Sequence, residues 1–226
     1  MNGGSQNRWD VSIEEALAIQ DRLRPLVSTE TALPLDKIRT IAGVDAIYSD
    51  DAKAAVVLLA FPSLEVIDRA VAVRRNTFPY VPGLLSFREI PAVLLALDRL
   101  MQQPDVIMTD GHGYAHPRRF GLASHLGVYL DRPTVGCAKT RLFGRYSEPG
   151  PDVGDRSPLV TGRETIGMVV RTKRNVAPIF VSIGHKFDLV TAVDLVLSCG
   201  RGYRLPEPTR LADRLSRAPA APTLFP

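Results

Sequence analysis

The feature that most constrains the fold is a set of three apolar runs joined by very short connections. The runs cover residues 39–48, 54–61 and 64–74, and two to five residues separate them. Connections of that length join antiparallel neighbours, because a parallel pair needs a crossover of about a dozen residues or more. The sequence therefore predicts an antiparallel three-stranded meander in the first third of the chain.

Helical periodicity and short apolar runs alternate on either side of the meander. The predicted elements are a helix from the Ser12 capping box to about Val27, a helix ending near Gln102, a strand over 105–110, a helix after Pro117, a strand over 134–138, a loop over 144–157, strand-like runs at 165–171 and 178–182, and a helix capped by Asp188. A meander followed by strand–helix–strand implies one mixed sheet flanked by helices, in a single α/β domain. We expect this domain to span residues 1–216 and a disordered tail to cover 217–226.

Composition narrows the class of protein without identifying it. The 226 residues are 45% apolar and 23% charged, with a net charge of +4 that permits an anionic partner. Cys137 and Cys199 lie far apart and show no metal-ligand spacing, which fits reduced thiols in the cytoplasm. No apolar run approaches the roughly 20 residues that span a bilayer. We expect a cytoplasmic protein with no membrane partner, and a monomer is the favoured state.

Asp45 occupies a position that ordinary structural roles do not explain. It lies inside the apolar run 41–47. Aspartate is depleted in strands, and burying an unpaired carboxylate is costly. Neither a helix cap nor a turn accounts for it, so a cationic group is expected to face it.

Two further carboxylates favour a shared site with Asp45. Asp110 stands where a predicted strand ends and glycines begin, although it can also simply cap the turn before Gly111. Glu89 lies just before a helix if Pro91 occupies the first helical turn; the alternative is a capping box between Ser86 and Glu89. Three converging carboxylates without a histidine pair or a cysteine cluster suit a hard cation such as Mg²⁺, with Mn²⁺ as a substitute.

An aromatic turn, Pro79-Tyr80-Val81-Pro82-Gly83, precedes Glu89. The two prolines fix φ on either side of Tyr80, and Gly83 gives the chain the freedom to reverse direction. A ring held on a stiff turn can be inserted into a stack of bases. A plain surface loop is the alternative interpretation of the same pattern.

Other polar residues surround these positions in the sequence. Lys139 follows the strand over 134–138 and can neutralise a phosphate near the metal, or be a solvated lysine at a strand end. His116 can contact substrate or cap the following helix. The segment 111–113 has the Gly-X-Gly start of a dinucleotide fingerprint, but the third glycine is missing, which argues against a nucleotide cofactor.

Taken together, these segments resemble the endonuclease V family, metal-dependent nucleases of the ribonuclease H-like superfamily that attack DNA containing deoxyinosine. The resemblance spans about residues 40–210. The matching segments are Ala42-Gly43-Val44-Asp45, Pro79 to Glu89, Thr109 to Gly113, His116-Pro117-Arg118, Gly136 to Lys139, Ser182 to His185 and Leu205 to Arg210. Val81 and Cys137 are mild departures from the family pattern, and Asp213 stands at a variable position.

The resemblance implies specific roles for these residues. Asp45 and Asp110 would hold Mg²⁺, with Glu89 supporting the ion directly or through water, and Lys139 would lie by the scissile phosphate. A wedge would fill the gap left by the damaged nucleotide, and it comprises Pro79, Tyr80, Val81 and Pro82. A pocket would receive the flipped hypoxanthine, and it is lined by Gly83, Leu85, Gly111 and His116.

The resemblance also implies the reaction. The expected enzyme flips deoxyinosine out of DNA and hydrolyses the second phosphodiester 3′ to it, leaving 3′-hydroxyl and 5′-phosphate ends. Two alternatives remain: an inosine-specific endoribonuclease that cleaves inosine-containing RNA, and a catalytically silent nucleic-acid-binding protein on the same ribonuclease H-like fold.

Overall fold

The computed structural model describes residues 9–48 and 51–219, and their regular elements form one sheet with helices on both faces. The strands are Thr40–Tyr48 (β1), Asp51–Ala60 (β2), Val66–Arg75 (β3), Val106–Thr109 (β4), Thr134–Ala138 (β5), Arg156–Thr161 (β6), Glu164–Val170 (β7) and Ile179–His185 (β8). The α-helices are Ile13–Leu23 (α1), Leu85–Leu97 (α2), Leu122–Leu130 (α3), Leu189–Ser198 (α4) and Glu207–Arg217 (α5). None of the helices in the described ranges has both the length and the apolar character needed to cross a bilayer.

The sheet is mixed, and its spatial order is β3-β2-β1-β4-β5-β8-β7-β6. Strands β1, β2 and β3 form the antiparallel meander that the sequence predicts. Strands β1, β4 and β5 run parallel, and β5, β8, β7 and β6 are antiparallel neighbours. The expected ribonuclease H-like arrangement, a meander plus parallel strands flanked by helices, is therefore confirmed.

The alternation of side chains along β1 decides which helices each residue meets. Ile41 packs into the core formed with α4 and α5, where Val193 and Ala212 are its neighbours. Val44 points to the opposite face and joins the core formed with α2 and α3, which includes Leu126. Asp45 has the same parity as Ile41, so it faces α5.

The parallel strands place their carboxyl ends at one edge of the sheet. Asp45 lies near the end of β1, Asp110 directly follows β4, and Lys139 directly follows β5. The register pairs Val44 with Thr109 and Thr109 with Gly136, so these three strand ends are adjacent. Ligands of open α/β sheets bind at this edge.

Strand β6 is a correction to the sequence prediction, which assigns a loop to 144–157 and no strand at 158–161. Strand β6 begins at Arg156 and forms the outer edge of the sheet. It contains Pro158, which lacks a backbone N–H and is therefore a signal against a strand. An edge strand accommodates proline because one side of its backbone needs no partner.

Helix α5 is a second correction, because the sequence after Gly200 reads as a Pro-rich connection. Pro206 is the N-cap of α5 and Pro208 lies in its first turn, where no intrahelical N–H is required. Arg217, the expected start of a disordered tail, is the last residue of this helix. The rest of the expected tail, from residue 220 to 226, lies outside the described residues.

Helix α2 starts earlier than the sequence predicts. It begins at Leu85, so Glu89 lies within the helix and Pro91 is inside it rather than in the first turn. Phe87 and Ile90 are fully buried. Their packing favours helix across this segment despite the hydrogen bond that Pro91 cannot donate.

Candidate active site

Three aspartates from three separate elements form a compact acidic cluster. Asp45 comes from β1, Asp110 follows β4, and Asp213 lies on α5. One carboxylate oxygen of each lies within 4.8 Å of the other two. The structure thus brings together Asp45 and Asp110, as the sequence predicts, and adds Asp213, for which the sequence predicts no role.

Lys139 supplies a positive charge within the acidic cluster. Its Nζ lies 2.5 Å from Asp110 Oδ2 and 2.5 Å from Asp213 Oδ1. Partial burial works against the charge on Lys139, but the hydrogen bonds to the two aspartates outweigh it and raise the pKa of the lysine. Lys139 therefore stays protonated, and the net charge of the cluster is reduced.

Asp45 accepts a hydrogen bond from a hydroxyl, and the cationic group that the sequence predicts is Lys139, whose charge favours the ionised form of Asp45 from within the acidic cluster. Ser216 Oγ donates a hydrogen bond of 2.5 Å to Asp45 Oδ2, and both residues are buried. Burial raises the pKa of Asp45 from 3.8 to about 6, the Ser216 hydrogen bond lowers it, and the charge of Asp110 raises it further. The ionised form of Asp45 is therefore destabilised near neutral pH until a cation neutralises it.

Helix α5 reaches the acidic cluster because β1 carries a glycine where the two elements meet. A Cβ built on Gly43 would lie 1.9 Å from the backbone oxygen of Pro208. No side chain fits at that distance, so Gly43 lets the start of α5 lie directly against the strand. The helix then presents Asp213 and Ser216 to Asp45, two residues further along β1.

Glu89 lies in the same cavity but outside the group of three aspartates. It is 5% exposed and projects from α2. Burial raises the pKa of the Glu89 carboxyl well above its ordinary value, and the charges of Asp45 and Asp110 raise it further. Its support of a metal ion, directly or through water, stays a prediction.

A cavity of about 460 Å³ is lined by Asp45 and Asp110 of the acidic cluster. Almost every residue that the sequence assigns to the site contributes to its wall; Pro79 does not. The contributing residues are Asp45, Tyr80, Val81, Pro82, Gly83, Leu85, Glu89, Asp110, Gly111, His116 and Lys139. His112, Arg141 and Arg217 also line the cavity, although the sequence assigns them no role.

The aromatic turn presents Tyr80 outward while its base is fixed in the core. Tyr80 is 64% exposed. Phe78, two residues earlier, is buried and stacks on Phe87 with ring centroids 5.3 Å apart. Gly83 has φ +84°, a conformation that favours glycine, and it ends the turn before α2. The backbone beside Tyr80 is thus anchored in the core, and its exposed side chain contributes to the wall of the cavity.

The part of the cavity lined by Gly83, Leu85, Gly111 and His116 forms a recess beside the turn, and the carbonyl of Gly83 is held there by three donors. It accepts hydrogen bonds from Gln20 Nε2 at 3.0 Å, His116 Nε2 at 3.1 Å and Arg118 Nη2 at 3.1 Å. His116 Nδ1 accepts from the Arg118 backbone N–H, so the proton of the neutral ring is on Nε2. Burial, together with the charge of Arg118, lowers the pKa of His116 to about 4. His116 is therefore uncharged and stabilises this part of the recess through its hydrogen bond to the Gly83 carbonyl.

Several residues of the site have only weak signals in the sequence. Asp213, Ser216 and Arg217 share one face of α5 at helical spacing, and Arg217 Nη2 lies 3.2 Å from Asp213 Oδ1. That i,i+4 pair is the signal that could have indicated a helix here. Gln20 is a buried polar residue on the otherwise amphipathic α1, and no short-range pattern identifies its partners.

The acidic cluster has the chemistry of a site for a divalent cation. Carboxylate oxygens are the ligands that Mg²⁺ prefers, and the cluster contains no histidine or cysteine. Oxygens within 4.8 Å need only small side-chain movements to contact one ion. The donor set therefore fits a hard cation beside a protonated lysine, an arrangement suited to a phosphodiester.

The chain is similar to one known family over most of its length. The family model described as Endonuclease V matches residues 21–214. A curated protein named Endonuclease V from Roseiflexus castenholzii is 53% identical over 218 residues, which cover 96% of this chain and 97% of that protein.

Two solved structures extend the comparison to three dimensions. The crystal structure of the Endonuclease V from Streptomyces avermitilis has a TM-score of 0.87 and 46% identity, covering 92% of this chain and 93% of that one. The Ciona intestinalis Endonuclease V, in complex with a 24mer DNA containing an inosine followed by a ribo-adenosine, has a TM-score of 0.79 and 29% identity. That comparison covers 91% of this chain and 96% of the Ciona chain.

Proposed function

Because the chain belongs to the endonuclease V family, we propose that it is a metal-dependent DNA repair nuclease for deoxyinosine. It hydrolyses the second phosphodiester 3′ to the lesion and leaves 3′-hydroxyl and 5′-phosphate ends. One observation carries the proposal: a cavity of about 460 Å³ is lined by Asp45, Asp110 and Lys139, by an exposed Tyr80 and by a glycine-lined recess. The groups for cleavage, for insertion of an aromatic ring and for recognition of the base are therefore separate but line the same cavity.

Asp45, Asp110 and Asp213 are the residues that would hold Mg²⁺, or Mn²⁺ in its place. The bound ion supplies activation of a water molecule and stabilises negative charge on the phosphate and the leaving oxygen. Ser216 fixes the orientation of Asp45 through its hydroxyl. Glu89 adds a further carboxylate to the wall of the cavity.

Lys139 provides a positive charge next to the scissile phosphate. Its Nζ is held by Asp110 and Asp213, and both hydrogen bonds favour the protonated amine. A charge held at a fixed place needs little reorganisation when negative charge develops on the phosphate. Lys139 thus attracts and orients the phosphate beside the carboxylates.

The aromatic turn acts as the wedge that replaces the flipped nucleotide. Flipping a base costs a few kcal/mol, and the cost is lowest for a mispaired base such as deoxyinosine. Tyr80 is exposed, and its turn is fixed by Phe78 below and by Pro79 and Pro82 on either side. The stacking of Tyr80 on the neighbouring bases offsets part of the cost of flipping.

The recess beside the turn reads the flipped base through backbone groups. Gly83 and Gly111 line it, and a glycine backbone allows the close approach that a side chain would prevent. The three donors on the Gly83 carbonyl keep this part of the wall rigid. His116, which is neutral, and Leu85 complete the wall without adding charge, as suits an uncharged hypoxanthine.

A nicking assay on a labelled deoxyinosine duplex tests the proposal. We expect one cut at the second linkage 3′ to the lesion, dependent on Mg²⁺, and no cut in a matched adenine duplex. Asp110→Asn should abolish cleavage while the protein stays folded, whereas Asp21→Asn, an exposed aspartate on α1, should cut normally. Binding of the lesion without nicking at any Mg²⁺ concentration would instead favour the catalytically silent alternative.

Inosine-containing RNA is the second candidate substrate. The Ciona relative was crystallised with DNA whose inosine is followed by a ribo-adenosine, so that relative binds a strand with a ribonucleotide next to the inosine. Single-turnover rates on matched strands with inosine or deoxyinosine separate the two activities. Faster cleavage of the RNA strand would show that the protein is primarily an endoribonuclease.

A further inference from the structure

A second groove lies next to the catalytic cavity, between the loop after β5 and the β6–β7 hairpin. Its walls are formed by residues 141–145 and 160–162, and its volume is about 600 Å³. The backbones of Arg145 and Val160 exchange two hydrogen bonds, of 2.7 and 2.8 Å, which fasten the loop to the hairpin. We call this feature the basic groove; its shape is set by backbone pairing rather than by mobile side chains.

The charge of the basic groove is positive and uncompensated. Arg141 and Arg145 line it and are exposed, and Arg163 is exposed at the tip of the hairpin. None of these three arginines takes part in a salt bridge among the residues that the structure describes, and no carboxylate lines the groove. Arg141 lies over the ring of Tyr146, 6.0 Å from its centroid, a contact that leaves its charge uncancelled. Arginines without a carboxylate partner are suited to an anionic backbone, because the guanidinium group matches phosphate geometry.

The nearest acidic side chain to the hairpin tip is already neutralised. Glu164 follows Arg163, and its Oε2 lies 2.7 Å from Arg119 Nη2. Its other oxygen accepts a hydrogen bond of 2.8 Å from Tyr114 Oη. Glu164 therefore does not cancel the charge of the arginines beside it.

The basic groove adjoins the catalytic cavity. Arg141 contributes to the walls of both spaces, and it is two residues from Lys139. Thr140, between them, is fixed through its carbonyl, which lies 2.9 Å from His112 Nε2. A strand whose phosphate reaches Lys139 can therefore continue past Arg141 without leaving the positive surface.

We propose that the basic groove binds the phosphate backbone of the cleaved strand outside the lesion recess, with Arg145 and Arg163 as phosphate ligands. This inference rests on the proposed nuclease function and extends it to a contact that positions the substrate. Phosphate contacts fix register and orientation and carry no base information. The groove therefore sets how firmly the strand is held, while the recess decides which base is accepted.

The test measures binding of a deoxyinosine duplex to the double variant Arg145→Gln/Arg163→Gln at several salt concentrations. Each lost phosphate contact should lower the salt slope by about one, which corresponds to about a fivefold loss of affinity at about 0.15 M salt. The single-turnover rate at saturating enzyme should stay near that of the wild type. Arg174→Gln is the matched control, since Arg174 pairs with Asp152 elsewhere on the surface.

Substrate length supplies an independent readout. As the duplex is shortened stepwise from one end, the difference in affinity between the double variant and the wild type should disappear. The end whose removal has this effect identifies the direction in which the strand runs from the active site into the basic groove. An unchanged salt slope, or a difference that persists on the shortest duplex, would overturn the proposal. Failure of the wild type to cut deoxyinosine would instead refute the nuclease function, and the binding measurements would still report on the groove.

Discussion

The replacement Asp45→Asn should stabilise the metal-free protein while it abolishes cleavage. Burial raises the pKa of Asp45 from 3.8 to about 6. A shift of about two units corresponds to about 3 kcal/mol at 1.36 kcal/mol per unit, the free energy by which the ionised form is disfavoured in the folded chain. Asparagine has the same shape, can still accept the Ser216 hydrogen bond and carries no charge.

The pH dependence of this effect has a definite sign. The folded-state pKa of Asp45 lies above the unfolded value, so its contribution to stability is fully present below about pH 4 and is lost as the pH rises through about 6. The variant has no such loss. The difference in unfolding free energy should therefore be small in acid and approach about 3 kcal/mol above pH 7, equivalent to about 6–12 °C in Tm.

Urea unfolding followed by circular dichroism, with a chelator present, measures this difference. Asp21→Asn should unfold like the wild type at every pH, since it is exposed. Adding Mg²⁺ should stabilise the wild type more than Asp45→Asn, because the variant has lost a ligand. If Asp45→Asn were no more stable than the wild type at about pH 8 without metal, the inferred cost of the buried charge would be wrong.

Three further predictions address the hydrogen bond from Ser216 to Asp45, the wedge, and the contact between α5 and Gly43. Ser216→Ala should raise the Mg²⁺ concentration needed for half-maximal nicking about 10- to 100-fold. It should also move the acid side of the pH–rate profile to higher pH, because the hydroxyl lowers the pKa of Asp45. Ser216→Thr should restore both properties, and an unaltered Mg²⁺ titration would rule out the supporting role of Ser216. Tyr80→Ala should weaken binding of a deoxyinosine duplex by about 1–3 kcal/mol and affect the single-turnover rate less; normal binding with lost cutting would contradict the wedge, and Tyr80→Phe is its control. Gly43→Ala should lower both the Tm and the cleavage rate, because its Cβ would overlap Pro208 and displace α5; a fully active, stable variant would show that this contact is not needed.

Much of the sheet and two of the three clustered carboxylates could be predicted because their signals are local. The short connections of the meander leave only one way to pair its strands. Asp45 is recognisable because a carboxylate inside an apolar run needs an explanation, and Asp110 and Lys139 because they directly follow strands that share an edge. Each of these inferences needs only a few neighbouring residues.

Other features were missed because tertiary packing decides them. Helix α5 is strongly amphipathic, but it has few apolar residues and its first turn holds Pro208 directly after the N-cap Pro206, so its start reads as a connection until β1 provides the surface it covers. The start of α2 depends on the burial of Phe87 and Ile90, which outweighs the signal of Pro91. Asp213 is separated from Asp45 by most of the chain, and no spacing rule connects them.

The late position of α5 has a consequence for biosynthesis. Translation delivers Asp45, then Asp110 and only much later Asp213, so a nascent chain can pair strands β1 to β5 long before all three acids are available. The helix must leave the ribosome and dock beside Gly43 before the three-carboxylate centre exists. A prematurely terminated chain that ends before residue 207 would lack this centre.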